Sequence, residues 1–312
     1  MKQGRVEFRQ RLDFGQLNTF FFDFIKFNWK EYSNIFLRYN GIFMLIFIGI
    51  SYMMVTGYFG MISTLDIYGR PEESDTYTAL TIVGLIVYLI LLLIVGGINF
   101  GITSVYLMEY NKNEGSQQQI NGKQVWSQVK RNAGRLIGFM SLFVLIFILW
   151  GICSYIFGAL PWLLDMALTY FVFFIMSAWV GISCMAMFAQ DIGPADALGV
   201  GWSLLMQNFW KGVGLNLVVW IILFATRIFI MAIPLYIIYF ILFHTVDQQA
   251  IDITGLLFSM IWTVFVALAT LISIYMQAIT QFLNGGLFYS LQEAKSNSFL
   301  RSKIDQIGLR DQ

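Results

Sequence analysis

A single histidine, His244, stands near Asp247 and Asp252, and these three residues are the nearest this chain comes to a spacing that could hold a metal ion or activate a nucleophile. Either chemistry needs more. A zinc site takes three or four protein ligands, and a hydrolytic triad needs a nucleophile within reach of the base. The loop between the fifth and sixth apolar stretches supplies neither, so no catalytic residue, metal ligand or cofactor site is assigned, and the chain is read as non-enzymatic. Gly199 and Gly201 form a lone G-x-G with no strand ahead of it, which is not a phosphate loop. Cys153 and Cys184 lie inside apolar stretches, where a thiol behaves as a small buried group, and no disulfide is inferred.

Two other features carry polar chemistry in apolar surroundings. Arg227 interrupts the run WIILFATRIFIMAIP. An ionised group there is either paired and buried for a purpose or close enough to a surface to snorkel. With the helix starting near Trp210, Arg227 lies about 25 Å along it at 1.5 Å per residue, within reach of the far headgroups, and snorkelling is the favoured reading. Pro234 follows, and the helix is expected to kink or end there. The second feature is a stripe in the last apolar stretch. Thr263, Thr270, Ser273, Gln277, Gln281 and Asn284 project into one arc at 100° per residue, and Asn99 with Thr103 makes a shorter version in the second stretch. Such a stripe must face protein or water rather than lipid, so it serves either helix-helix hydrogen bonding or a polar pathway.

These residues sit in six long apolar stretches, at roughly 39–61, 79–108, 136–158, 162–188, 211–240 and 255–288. Each has the ~20 apolar residues needed to cross ~30 Å of hydrocarbon. Composition agrees: 58% of the 312 residues are hydrophobic and 12% charged, about half the charge of a soluble domain. The polar N-terminal residues show no short apolar core with a cleavage site, so the first span is expected to be an uncleaved anchor. Of the nineteen basic residues, seventeen fall in segments on one side of the spans, while the other side holds Arg70 among Asp66, Glu72, Glu73 and Asp75. The positive-inside rule then places both termini in the cytoplasm. Topology accounts for the basic residues, so membrane lipids and membrane proteins, and not nucleic acid, are the expected partners.

Internal repetition organises the spans. Three times an amphipathic stretch precedes a hairpin of two spans. In residues 17–36, Thr19, Asp23, Lys26, Lys30 and Ser33 gather opposite Leu17, Phe20, Phe21, Phe24, Ile25 and Ile35, the pattern of a helix lying in the membrane interface. The second stretch carries Val125, Val129 and Leu136 on one face, and the third Leu204 and Leu205. Asn28, Asn132 and Asn208 each sit on the apolar side, with Lys30, Arg135 and Lys211 two or three places on. Either this is chance, asparagine being common near helix ends, or each amide binds a neighbouring helix. Gly101, Gly181 and Gly285 recur near the hairpin ends, with Glu109 and Glu293 eight residues after the first and last. The expected fold is thus an all-α integral membrane protein. It is one polytopic domain over 1–312, with six transmembrane helices in three parallel repeats of interfacial helix plus hairpin (about 17–109, 121–191 and 195–293), related by a pseudo-threefold axis along the membrane normal.

The segment from Gly158 to Gly214 resembles a broad bacterial family of six-span membrane proteins of unknown function. That family includes the membrane domain attached to some glycerophosphodiester phosphodiesterases. Pro161 matches the proline that opens a span, Ala197 and Leu198 the "Al" of an amphipathic helix, Ser203 its serine, and Asn208, Phe209 and Trp210 its "nfw". Residues 287–308 resemble the close of the stand-alone members, and Trp162 stands where the pattern carries glycine. The resemblance implies a bacterial inner-membrane protein. The phosphodiesterase domain is absent, so hydrolysis does not carry over.

Three functions are compatible with these features: a lipid-contacting scaffold or accessory subunit of a membrane complex, a small transporter or lipid translocator, and an intramembrane enzyme. The first is favoured, since no buried carboxylate is expected that could relay protons.

Overall fold

The computed structural model describes residues 12–66, 71–112, 120–157, 162–245 and 256–296. All eight elements among them are α-helices: α1 (Phe14–Asp66), α2 (Pro71–Lys112), α3 (Gly122–Arg131), α4 (Ala133–Phe157), α5 (Trp162–Ala189), α6 (Pro194–Gln207), α7 (Phe209–Thr245) and α8 (Leu256–Ser296). Six of these, all but α3 and α6, are long and apolar enough to cross a membrane, and each contains one expected span to within a residue. The chain is therefore an all-α, multi-pass membrane protein. α4 exposes Leu145, Phe147, Ile148 and Leu149, and α7 exposes Phe229 and Ile233. Hydrocarbon is the matching solvent for such belts, and water is not.

α1 differs from expectation. The amphipathic stretch and the first span form one unbroken helix of 53 residues. No glycine or proline lies between Leu17 and Asn40 to interrupt it. Its start is a reciprocal cap: Asp13 Oδ1 accepts from the Gln16 amide at 2.7 Å, and Gln16 Oε1 accepts from the Asp13 amide at 2.9 Å. The face expected to be apolar is the buried one, with Leu17, Phe20, Phe21, Phe24 and Ile35 all in the core. In the later stretches the chain does break, at Asn132 and Asn208, which cap the C-termini of α3 and α6. α7 does not end at Pro234 but runs through it to Thr245.

The helices form two compact units, each with its own core. The first takes Met1–Phe36, Gly97–Trp220 and Ala278–Gln312. An aromatic cluster centres it: the Phe282 ring meets Tyr32 edge-on at 4.5 Å and Phe24 at 5.2 Å, and Phe24 meets Tyr110 at 5.0 Å. The amphipathic helices join this core by their apolar residues, α3 through Val125 and Val129 and α6 through Ala197, Gly201, Leu204 and Leu205.

The second unit takes Leu37–Gly96 and Ile221–Gln277. Here Phe47 meets Tyr88 edge-on at 5.4 Å, and the Tyr88 hydroxyl lies 2.6 Å from Thr270 Oγ1. Close approach of α1 to α2 depends on glycine: a Cβ on Gly60 would fall 2.3 Å from the Tyr77 ring, and one on Gly57 would lie 2.9 Å from the Thr81 backbone nitrogen.

Candidate functional site

The polar stripe of α8 supplies the best-defined constellation. In the first unit, Gln281 and Asn284 lie three residues apart on one face, each 1% exposed. Gln281 Nε2 donates to Ser104 Oγ of α2 at 3.0 Å and to the Gly181 carbonyl of α5 at 3.1 Å. Asn284 Nδ2 donates to the Ser177 carbonyl at 3.1 Å, and its Oδ1 accepts from Asn216 Nδ2 of α7 at 2.9 Å. Ser177 Oγ closes the ring by donating to Asn216 Oδ1 at 3.0 Å. Asn216 Nδ2 also donates to the Gly212 carbonyl. Four helices are thus joined by side chains whose polar atoms are matched donor to acceptor, except Gln281 Oε1, which is buried without a hydrogen-bond partner among the described residues.

A second polar group in the same unit involves the expected Asn99. Its Oδ1 accepts from the Tyr32 hydroxyl at 3.5 Å, while its carbonyl accepts from Thr103 Oγ1 at 2.8 Å. Tyr32 and Thr103 hydroxyls are 2.8 Å apart. Thr103 and the adjacent Ser104 point into the two groups respectively, so α2 connects them. Gln277 belongs to the second unit and is half-buried, close against Gly96. Farther along the stripe, Thr263, Thr270 and Ser273 each donate to the carbonyl four residues back, and of the three Thr270 also meets a neighbouring helix, through the Tyr88 hydroxyl of α2.

The three asparagines do not share one environment. Asn28 and Asn132 donate to Phe24 and Gln128, carbonyls of their own helices four residues back. The expected ties to neighbouring helices are therefore not what these amides make. Asn132 sits where the last carbonyls of α3 lack intrahelical donors, which explains its choice. Asn208 is exposed, contrary to its expected apolar-side position, because the backbone leaves the helical period at this cap (φ −141°, ψ 53°).

Arg227 is exposed and so is not a charge buried in the helical core. Of the family-pattern residues, Ala197 is buried and the Leu198 carbonyl accepts from Trp179 Nε1 at 2.8 Å, while Ser203 and Trp210 are exposed. Pro161, Asp247, Asp252 and the His244 side chain lie outside the described residues.

The expectation of no buried carboxylate fails. Glu109 and Glu293 are each only 6% exposed. Glu109 Oε2 accepts from Gln124 Nε2 at 3.0 Å, and its Oε1 from Gln128 Nε2 at 2.9 Å and from Lys112 at 3.3 Å. Gln124 and Gln128 stand four apart on α3, so one carboxylate at the end of α2 grips a full turn of that helix. That pairing of glutamines beside Val125 and Val129 was the available signal. A second carboxylate grips the start of α3: Glu31 Oε1 of α1 accepts from the Ile120 amide at 2.5 Å. Arg135 and Asp191 form an ion pair that fastens α4 to the turn before α6, with Asp191 in the left-handed region at φ 55°. Lys211 holds the start of α1 through the Leu12 carbonyl and Ser290 Oγ.

Chemically, the core network contains amides and hydroxyls, which hold geometry but neither take nor give protons near neutral pH. Among the described residues no group of three or more potential ligands could hold a metal ion. Both cysteines are free, and buried Cys184 lies 3.6 Å from Ser104 Oγ. No protein-family model, curated protein or solved structure matches this chain.

Proposed function

We propose that this chain is a non-enzymatic scaffold or accessory subunit of a complex in the bacterial cytoplasmic membrane, in contact with lipid and with both termini in the cytoplasm. The observation that carries the reading is the ring formed by Ser177, Asn216 and Asn284, extended by Gln281 to Ser104 and Gly181. A solute pathway needs polar groups free to be rehydrated as cargo passes. Here the amides and hydroxyls, Gln281 Oε1 excepted, are consumed in joining helices, which is the use a structural subunit has for them. The asymmetry of basic residues supports the orientation, and the resemblance to the six-span bacterial family supports the compartment. The order of amphipathic helix then hairpin, separate at α3–α5 and α6–α8 and fused within α1, supports three parallel repeats.

Transport is the second reading, and one observation favours it. In the second unit Asn40 and Ser51 are fully buried, and neither the Asn40 amide atoms nor Ser51 Oγ has a hydrogen-bond partner among the described residues. Water or a solute would satisfy them.

The two readings are separated by extracting the protein in native lipid particles and then reconstituting it alone. The scaffold reading expects a membrane protein to co-purify in fixed stoichiometry and the reconstituted vesicles to stay tight. Passage of a solute or a labelled lipid through vesicles containing only this chain would overturn it in favour of transport.

A further inference from the structure

α3 is held from beneath by acids and presents bases outward. Glu31 takes the Ile120 amide at its start, Glu109 takes Gln124 and Gln128, and Val125 and Val129 are buried. On the side opposite the two valines Lys123 and Lys130 fall within about 20° of each other at 100° per residue, and Arg131 lies on the flank, about 80° from Lys123 and about 20° from Gln124. All three are exposed, and none has an acidic partner among the described residues. Arg135, one turn farther on, is by contrast neutralised by Asp191. The span α4 begins at Ala133, two residues after Arg131, and Ile137 is already an exposed apolar residue of that span. Chain connectivity thus puts Lys130 and Arg131 within three residues of the membrane-spanning helix.

We propose that the outer face of α3, through Lys123, Lys130 and Arg131, binds the phosphate of anionic phospholipid headgroups. The inference deepens the scaffold reading and rests on its membrane placement, but not on the existence of a protein partner. The two carboxylates inside fix the helix orientation, so the cationic face is pre-set and binding does not have to order it. Charge complementarity selects the anionic lipid, because a zwitterionic headgroup offers no net charge to a basic surface.

Full-length protein in neutral detergent, titrated with short-chain phosphatidylglycerol or phosphatidylcholine and followed by native mass spectrometry, tests this. Phosphatidylglycerol should bind at least about tenfold tighter, and K123Q/K130Q should weaken it by about thirtyfold at low salt, about fivefold for each charge removed. The charge-keeping K123R/K130R should retain binding. K26Q/K30Q, which removes the same charge from α1, should change it little. Added salt should release the lipid from the unmodified protein, a measurement that needs no variant. Equal affinity for the two lipids, or equal losses in the two glutamine variants, would overturn the proposal. So would displacement of the lipid by free glycerol phosphate at comparable concentration, which would indicate a soluble anion instead, and so would tighter capture of a polyglutamate peptide, which would indicate an acidic protein. Because the assay contains no partner protein, its failure leaves the scaffold reading standing, and the absence of a co-purifying protein leaves the lipid site standing.

Discussion

A Cβ placed on Gly181 would lie 2.2 Å from the Asn284 amide nitrogen and 2.6 Å from the Asn284 Cβ. The glycine lets α5 and α8 come close enough for its own carbonyl to receive Gln281. The contact with the base of the Asn284 side chain, and not only its tip, means a new methyl group cannot be accommodated by a simple rotamer change.

We therefore predict that Gly181→Ala lowers the melting temperature of the detergent-purified protein, at an overpacking cost of about 1–3 kcal/mol. Gly134→Ala, at a helical glycine with nothing within 4 Å of the new methyl, is the control and should be neutral or slightly stabilising. Indistinguishable melting curves for the two would contradict the packing described.

The Asn216–Asn284 hydrogen bond should appear as a coupling. In a double-mutant cycle with alanine at both positions, we predict that the two losses are not additive. The interaction term should be about 0.6 kcal/mol and at most about 1.7, the range found for such bonds between membrane helices. Strict additivity would mean the ring is not closed in the membrane.

Glu109 makes a regional prediction. Glu109→Leu leaves Gln124 and Gln128 without their acceptor, so amide hydrogen exchange should quicken across α3, residues 122–131. Exchange in the interior of α8 should stay slow. A uniform rise throughout the protein would indicate global rather than local loosening.

Asn208→Leu should shift the melting temperature no more than Lys30→Gln does, because both side chains are exposed and such changes are usually within about 0.5 kcal/mol. A clearly larger loss for Asn208→Leu would restore a tertiary role for this amide.

Orientation has a direct test. A cysteine introduced at Ser116 should resist an impermeant thiol reagent applied to intact cells and react once the membrane is opened. Labelling from outside would reverse the topology.

What the sequence made legible divides along physical lines. The spans and the buried face of residues 17–36 could be read because both follow from periodicity and length, properties internal to one helix. The stripe on α8 was readable for the same reason, and it correctly marked Gln281 and Asn284 as interior. Their partners were not readable: Ser177 and Asn216 are single polar residues in apolar runs, and their importance comes from meeting Asn284 across the core. Glu109 was half legible, since Gln124 and Gln128 one turn apart beside Val125 and Val129 marked a polar edge on α3 but not the carboxylate of α2 that they meet. The asparagines misled because spacing cannot distinguish an amide that reaches outward from one that turns back onto its own backbone.

The core network also sets an order of assembly. Ser104, Ser177, Gly181 and Asn216 belong to helices that leave the ribosome before α8, yet their acceptors and donors are completed by Gln281 and Asn284. Until α8 arrives, the earlier spans carry polar atoms whose final partners do not yet exist, and hydrocarbon offers no substitute. Ser177 Oγ and Asn216 Oδ1 need only α5 and α7 to pair, while the bonds to Ser104, to the Gly181 carbonyl and between Asn216 and Asn284 form only with the last helix. The last helix is thus the latch, since its arrival completes the bonds to α2, α5 and α7 together.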